Sequence, residues 1–582
     1  MRTGKQIIRE FARRNAPRIG LAFVTGFLAR IVALTIPLVI GRYFALQFGY
    51  ASLRTDLLSD LLDSWLLLPG RFLQVTIGLV ALWGLLRYLE RFHTLMLGEF
   101  LVQKLREELF RKQLRTTPEA FARRSAGKYL LRYSGDLKQI QNLFNLGIMG
   151  LARDLLLLIP AALTFAMLLP QLALPVGLGF GLVLLPIFLL NRQLYRTSVH
   201  RRDRKSGLLA FVTERLHRHE VIQAFNREAP ENQRFRKRSR RVTQASQHYF
   251  RYEALIRTLI PGLVYLIPGL VFLSVGIGDG TAAREDPESV SLAFLLMIAI
   301  APVLRRLAGV TVHWELGKLS MRKLLVVLNL PDAEPVPQPD LVPGDGHLQI
   351  AGLSVGSPDR GPLIHCWSAE LPAPGLTWIQ SPNGTGKTRL LRVLLRLEAP
   401  LEGQILLDGQ PLEAFSPHSV RRQMAVASEA WPLLGRTVFE AISYSRKPQK
   451  RPRAGKALDK LQAALPPHLR LELDDEIGEL GRKLSAGQRR LLLIARALLT
   501  RKPILLLDEP LHNLDLACRQ AVIRRLERFR TRRNIIVLSH AAPPEGLPPD
   551  QHLKLPQVSF ASRRIDTTPP ENGTDFPYPK HG

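Results

Sequence analysis

The sequence predicts a two-part chain: a polytopic α-helical membrane domain followed by an α/β domain. Three observations carry that prediction. Before residue 331 there are six apolar stretches, each near the roughly 20 residues needed to span a bilayer. A Pro-rich, apolar-poor stretch, PDAEPVPQPDLVPGDG at 331–346, then interrupts the pattern as a linker does. After it, strand-like and helix-like runs alternate.

The totals fit this division. At 582 residues the chain is suited to several domains. Hydrophobic residues make up 46 % and charged residues 22 %, as in a membrane half fused to a polar half. The net charge of +31 suits either nucleic acid or basic loops against an anionic leaflet, and the apolar stretches favour the leaflet. The two cysteines, Cys366 and Cys518, both lie in the polar half. They exclude a disulfide framework, their spacing suits no zinc site, and they read as thiols of a reducing compartment.

The candidate spans are 19–46, 70–97, 143–169, 172–191, 255–277 and 290–312. The basic start MRTGKQIIREFARRNAPRIG resembles a signal n-region, but the apolar segment after it is long and contains Arg30. No small-residue cleavage site is evident, so a retained signal anchor is expected. Spans three and four meet at the tight turn Pro170–Gln171 and read as a hairpin. Segments 99–140 and 192–253 are basic, including RRDRK at 201–205 and RFRKRSRR at 234–241, whereas DGTAAREDPES at 279–289 is acidic on balance. By the positive-inside rule the basic loops, the N-terminus and the polar half are cytoplasmic. Both basic segments are helical in pattern, as in LVQKLREELFRKQL at 101–114, and read as membrane helices continuing into the cytosol. Short turns near 135–141 and 222–229 are expected to meet the polar half.

The strongest chemical signal is LTWIQSPNGTGKTRLLRVLL at 376–395, a strand, a Gly-rich loop and a helix. Backbone N–H groups of such a loop and its helix N-terminus cradle phosphate oxygens. Lys387 would then reach the β- and γ-phosphates and Thr388 would ligate Mg2+. In KPILLLDEP at 502–510 an apolar strand ends in Asp508, suited to a Mg2+ contact, and Glu509, suited to polarising the attacking water. LSAGQRRLLLIARALL precedes it, and His540 ends another apolar strand, NIIVLSH.

The order SPNGTGKT, LSAGQ, ILLLDEP, HNLD and LSH resembles the ATP-binding cassette of the ABC superfamily. LSAGQ is similar to a signature motif found only there, and the resemblance covers roughly 346–556. GQILLDG at 403–409 and IGELG at 477–481 are further echoes, the latter similar to a segment that contacts the membrane domain in exporters. TIPLVIGR at 35–42, ERLHRHEVIQAFNRE at 214–228 and the six-span layout resemble the type IV exporter fold. The implied architecture is a six-helix membrane domain over 1–328, a linker over 329–346, a nucleotide-binding cassette over 347–556, and a disordered tail over 557–582.

The resemblance also implies roles. Ser381, Asn383, Gly384, Thr385, Gly386, Lys387, Thr388 and Arg389 would hold ATP. Ser485, Gly487 and Gln488 would contact the γ-phosphate bound by a second cassette, with Asp515 near the seam. Glu509, His540 and Lys387 would carry catalysis, and Thr388, Glu429 and Asp508 would hold Mg2+. One cassette per chain implies a second half-transporter, a homodimer in preference to a heterodimer. The implied activity is ATP-driven export or flipping by alternating access from the cytosol or inner leaflet, in a cytoplasmic membrane. The alternatives are a catalytically weak subunit of a heterodimeric exporter and a soluble DNA-associated ATPase. The six spans speak against the latter and against nucleic acid as a partner.

Three positions depart from the family pattern. Ser381 replaces a glycine, Glu429 replaces a glutamine, and no aromatic stands near Ser357 to stack on adenine. Within the membrane half, Arg30 lies in the first span, Arg87, Glu90 and Arg91 late in the second, and Arg305 and Arg306 in the sixth. These arginines either face a cavity for an anionic cargo, such as a lipid headgroup, or pair with Glu90 and the interface.

Overall fold

The computed structural model describes residues 3–48, 69–122, 126–156, 173–277, 312–332, 338–342, 344–357, 361–463 and 465–556, with positions 158, 303, 306 and 310 between them. The Pro170–Gln171 turn, the loop 279–289, most of the sixth span with Arg305, and the tail lie outside these residues. The chain divides into two compact units, Met1–Thr116 with Ala120–Leu330, and Thr117–Glu119 with Pro331–Gly582.

The first unit is helical. Thr3 opens the helix Gly4–Arg14 with a capping box: its hydroxyl accepts from the Gln6 N–H, and the Gln6 side chain accepts from the Thr3 N–H. Ile7 and Phe11, one turn apart, are buried, and Phe11 meets Phe144 edge-on at 5.7 Å. The basic start therefore forms its own amphipathic helix ahead of the first long helix, Ala16–Phe48. Three more long helices follow: Pro69–Arg115, Ala173–His217 and Glu228–Ile277. At 47, 45 and 50 residues they far exceed a bilayer's thickness, as expected of membrane helices with cytosolic extensions. Among the described residues, Ala16–Ala33 and Arg71–Arg115 are long and apolar enough to cross a membrane.

Between 126 and 148 the helix is continuous but widens twice into π-turns, at Arg132–Asp136 and Leu143–Ile148. The turn expected near 135–141 is thus a buried helical stretch, with Asp136, Leu137 and Ile140 facing inward. Asp136 is bound by Arg132 and Arg202, and Arg202 also donates to Ser320 Oγ at 2.9 Å. The chain instead breaks at Thr116–Thr117, before the short helix Pro118–Ala122. The other expected turn is present. The helix His219–Ala224 ends, Asn226 turns with φ +49, and the long helix starts at Glu228. Leu97, Leu101, Leu105 and Leu109 recur every four residues on one buried face and pack with Leu137, Ile140, Leu324 and Val327.

The second unit carries two sheets. The strands are β1 (Leu348–Ser357), β2 (Gly361–Leu371), β3 (Gly375–Gln380), β4 (Glu402–Leu407), β5 (Gln410–Pro411), β6 (Met424–Ala427), β7 (Ile504–Asp508), β8 (Asn534–Ser539) and β9 (Gln551–Lys554). An antiparallel sheet runs β2-β1-β4-β5, and a parallel sheet runs β6-β7-β8-β3-β9. The apolar strands Ile504–Leu507 and Ile535–Leu538 are fully buried, as the centre of a parallel sheet requires. Trp378 on β3 is 1 % exposed, and its indole N–H donates to Ala541 O at 3.0 Å. Because β3, β6, β7 and β8 are parallel, their C-terminal ends deliver Ser381, Ser428, Asp508 and Ser539 to one edge.

Candidate nucleotide site and buried charge cluster

The loop Ser381–Gly386 joins β3 to the helix Lys387–Leu394. Gly384 and Gly386 have φ of +84 and +101, a region open to glycine at little cost. Ser381 does not enter that region. Its N–H donates to Ser539 O at 2.9 Å, and its hydroxyl bonds Thr385 Oγ1 at 2.8 Å. The serine therefore fits without the backbone strain its Cβ suggested. The backbone cradle suits an anion, and Lys387 stands at its base with Nζ donating to Ser381 O at 3.0 Å and Asn383 Oδ1 at 3.4 Å.

Asp508 ends β7 and Glu509 follows it with φ +50, unusual for a side-chain-bearing residue. Its Oε1 lies 3.0 Å from Lys387 Nζ and 2.9 Å from His540 Nδ1, and accepts the His540 N–H at 2.8 Å. Its Oε2 accepts from Ser539 Oγ at 3.0 Å. Burial alone would raise the Glu509 pKa. Hydrogen bonds from His540, Lys387 and Ser539 outweigh it and hold the carboxyl below its ordinary value. Asp508 goes the other way: burial pushes it up, against the opposing hydrogen bond from Ser428 Oγ at 2.7 Å. Two adjacent carboxyls thus sit in different environments, the pattern of divided chemical labour.

Thr388 begins the helix after Lys387, and Asp508 Oδ2 receives Ser428. A hydroxyl and a carboxylate are hard oxygen donors that suit Mg2+ completed by phosphate oxygens. Among the described residues, no group of three or more His, Cys, Asp or Glu is placed to hold a metal by itself. Glu429, expected among the metal ligands, turns its carboxylate to Arg490, with Nη2 2.6 Å from Oε1. The Arg389 guanidinium, expected to help hold ATP, is engaged by Glu398 at 2.6 Å. Ser485 caps the helix Ala486–Leu499 in a reciprocal box with Gln488, and a Cβ on Gly487 would stand 3.1 Å from Asn513 O. Among the described residues, these three make no hydrogen bond to the phosphate loop of their own chain.

Sequence reasoning missed four contributors: Ser428, Arg490, Ser539 and His512, whose ring meets His540 edge-on at 5.6 Å. Arg490 was findable. It shares the apolar face of its helix with Ile494 and Ala497, one and two turns on, where a charge needs a buried partner. Asp515 caps the helix Leu516–Arg530 through the Cys518 N–H at 2.6 Å.

A second polar cluster lies in the helical unit. Glu90, 2 % exposed, pairs bidentately with Arg30 at 3.2 and 3.3 Å, with Arg87 at 3.0 Å and with Arg153 at 3.4 Å. Asp154, 1 % exposed, pairs with Arg306 at 2.8 Å and lies 3.6 Å from Arg153 Nε. Arg30 is thus spent on Glu90 rather than facing open space, and Arg91 is exposed. Four guanidinium groups face two carboxylates, and the side chains of Arg87 and Arg306 remain 30 % and 35 % exposed.

Comparison with known proteins agrees with both halves. Residues 19–300 match the family of the ABC transporter transmembrane region, and residues 367–512 match the ABC transporter family. The chain is 23 % identical over 472 residues to an ATP-dependent lipid A-core flippase of Photobacterium profundum, covering 80 % of each. It is 26 % identical over 483 residues to the ATP-dependent lipid A-core flippase of Burkholderia orbicola, covering 80 % of this chain and 78 % of that one. A solved bacterial Atm1-family ABC exporter with ATP bound superposes with a TM-score of 0.78 at 21 % identity, covering 93 % of this chain and 94 % of that one. It shares the fold expected from the sequence. The chain binds ATP and couples its hydrolysis to transport across a membrane. It belongs to the ABC transporter superfamily, as a half-transporter that fuses a type IV exporter membrane domain to one ATP-binding cassette.

Proposed function

We propose that the chain is one of two identical subunits of an exporter or flippase that moves an anionic amphiphile outward from the cytosol or inner leaflet. The observation that carries the reading is the convergence of Lys387 and His540 on one oxygen of Glu509, a complete hydrolytic constellation. Relatives called ATP-dependent lipid A-core flippases, matched over four-fifths of both chains, support a lipid-moving role. Hydrolysis would run with Lys387 and the backbone cradle binding the phosphates. Glu509, held ionised, would orient and deprotonate the attacking water, and His540 would fix the carboxylate. Mg2+ held by Thr388 and Asp508 would supply charge neutralisation at the phosphates. Ser485 and Gln488 cap their own helix and, among the described residues, make no hydrogen bond to the phosphate loop of their own chain, which supports the use of Ser485, Gly487 and Gln488 by a second cassette. The membrane domain over 1–328, the linker over 329–346 and the cassette over 347–556 would then act as one alternating-access machine in a cytoplasmic membrane, with the cassette inside.

An anionic cargo is favoured by the excess of arginine around Glu90 and Asp154, with Arg87 and Arg306 still partly open. The weak-subunit alternative loses one support, because Ser381 is accommodated without strain. The test is ATPase activity in nanodiscs across a lipid panel, with native mass spectrometry for stoichiometry. Phosphorylated lipids should stimulate turnover, neutral ones should not, and Arg306→Glu should blunt the response. Equal stimulation by neutral lipids would remove the anionic cargo, and inactivity of the purified homodimer would remove the homodimeric reading.

A further inference from the structure

Arg490 is 5 % exposed on the inner face of the helix Ala486–Leu499, and a buried guanidinium must be compensated. Its contacts are specific. Nη1 donates to the backbone oxygens of Glu509 and, at 3.3 Å, of Asp508. Nη2 donates to Glu429 Oε1 at 2.6 Å, and Nε has no partner. Among the described residues Glu429 is its one carboxylate partner. The carbonyl it grips belongs to the residue with φ +50, so the donor sits where the backbone most needs a fixed position.

We propose that Arg490 is a positioning residue for ATP hydrolysis: it holds the Asp508–Glu509 peptide, and Glu429 holds Arg490. This rests on the reading of Glu509 as the hydrolytic carboxylate. Ser428 follows β6 directly and bonds Asp508, and Glu429 comes next, so the loop after β6 touches both acids at once, one through a hydroxyl and one through Arg490. A displacement of that loop is therefore transmitted to the angle at which Glu509 presents its carboxylate. Glu429 acts here through a guanidinium rather than through the metal.

The experiment is steady-state ATPase kinetics of the full chain in nanodiscs, with MgATP and with Mg2+ titrated at fixed ATP. Arg490→Gln should lower kcat about tenfold or more while KM for ATP stays within about threefold, and Arg490→Lys should recover part of the loss. Glu429→Gln should lower kcat without changing the Mg2+ concentration for half-maximal rate, and should add nothing in the Arg490→Gln background. Should Arg490→Gln fail to fold, Glu429→Gln and Arg490→Lys decide: unchanged kcat in both overturns the proposal. A shifted Mg2+ requirement in Glu429→Gln, or additive losses in the double variant, also overturns it by making Glu429 act on its own. Glu509→Gln separates the two levels. If it still turns over, the underlying assignment fails; if it is dead while Arg490→Gln runs at full rate, only the positioning role fails.

Discussion

Lys387 Nζ and Glu509 Oε1 stand 3.0 Å apart, so the proposed phosphate-binding cation and the proposed hydrolytic carboxylate converge on one point. Replacing Glu509 with glutamine keeps the shape and removes the base. Glu509→Gln is expected to cut kcat by about a hundredfold or more, in the range of a lost general base. ATP binding, followed with a fluorescent nucleotide, should persist. Unchanged hydrolysis would remove Glu509 from its role.

Lys387→Ala should behave differently. Its ammonium is tied to the loop carbonyl of Ser381 and to Asn383, so the change removes both a phosphate donor and a loop brace. Nucleotide binding itself should weaken by about tenfold or more, as expected for a lost charge-assisted contact. A variant that binds ATP as tightly as the parent would contradict this.

Glu90 neutralises guanidinium groups from three separate stretches of chain, Arg30, Arg87 and Arg153. Glu90→Ala leaves Arg30, itself 5 % exposed, without a counter-charge. The expected destabilisation is about 3–5 kcal/mol, the cost of an orphaned buried ion. Arg87→Ala should cost far less, because its side chain is partly solvated. Thermal unfolding in detergent compares the two, and equal melting temperatures would refute the ranking.

Cys518 is buried beside Asp515, and burial first, with the carboxylate second, pushes its thiol up to about 12. Cys366 is exposed. Near neutral pH a maleimide should therefore label one thiol per native chain and two per denatured chain. Two fast labels on the native protein would contradict the burial.

Trp378→Ala should destabilise the cassette by about 3–5 kcal/mol, since it empties a fully buried site and orphans Ala541 O. Differential scanning of the full chain should show the cassette transition move while the membrane unit's transition stays.

The cassette was legible because its chemistry is local. The phosphate loop, the acid pair after β7 and the histidine after β8 are short motifs whose geometry follows from a strand ending at a turn. The long helices were legible from apolar length. What escaped depends on contacts distant in sequence. Glu429 was expected among the Mg2+ ligands because it stands where the family has a glutamine, and its pairing with Arg490, 61 positions away, is invisible until the sheet is folded. Ser381 stands where the family has a glycine, yet it lies outside the positive-φ region and Thr385 takes up its hydroxyl. A turn was expected at 135–141, but Asp136 is neutralised by Arg132 and Arg202 inside a helical stretch that runs through.

Gly98 sits where the helix Pro69–Arg115 meets the π-turn at Leu143–Ile148. A Cβ there would lie 2.2 Å from Asn145 Oδ1, so the helix Pro69–Arg115 and the π-turn at Leu143–Ile148 touch with no room for a methyl group. The residues one turn away on the same face, Thr94 and Val102, both carry side chains, so sliding the helix by a turn would drive a side chain against Asn145. The contact works as an axial lock. A rearrangement of the membrane unit that slides these two stretches past each other has to move the Asn145 side chain first.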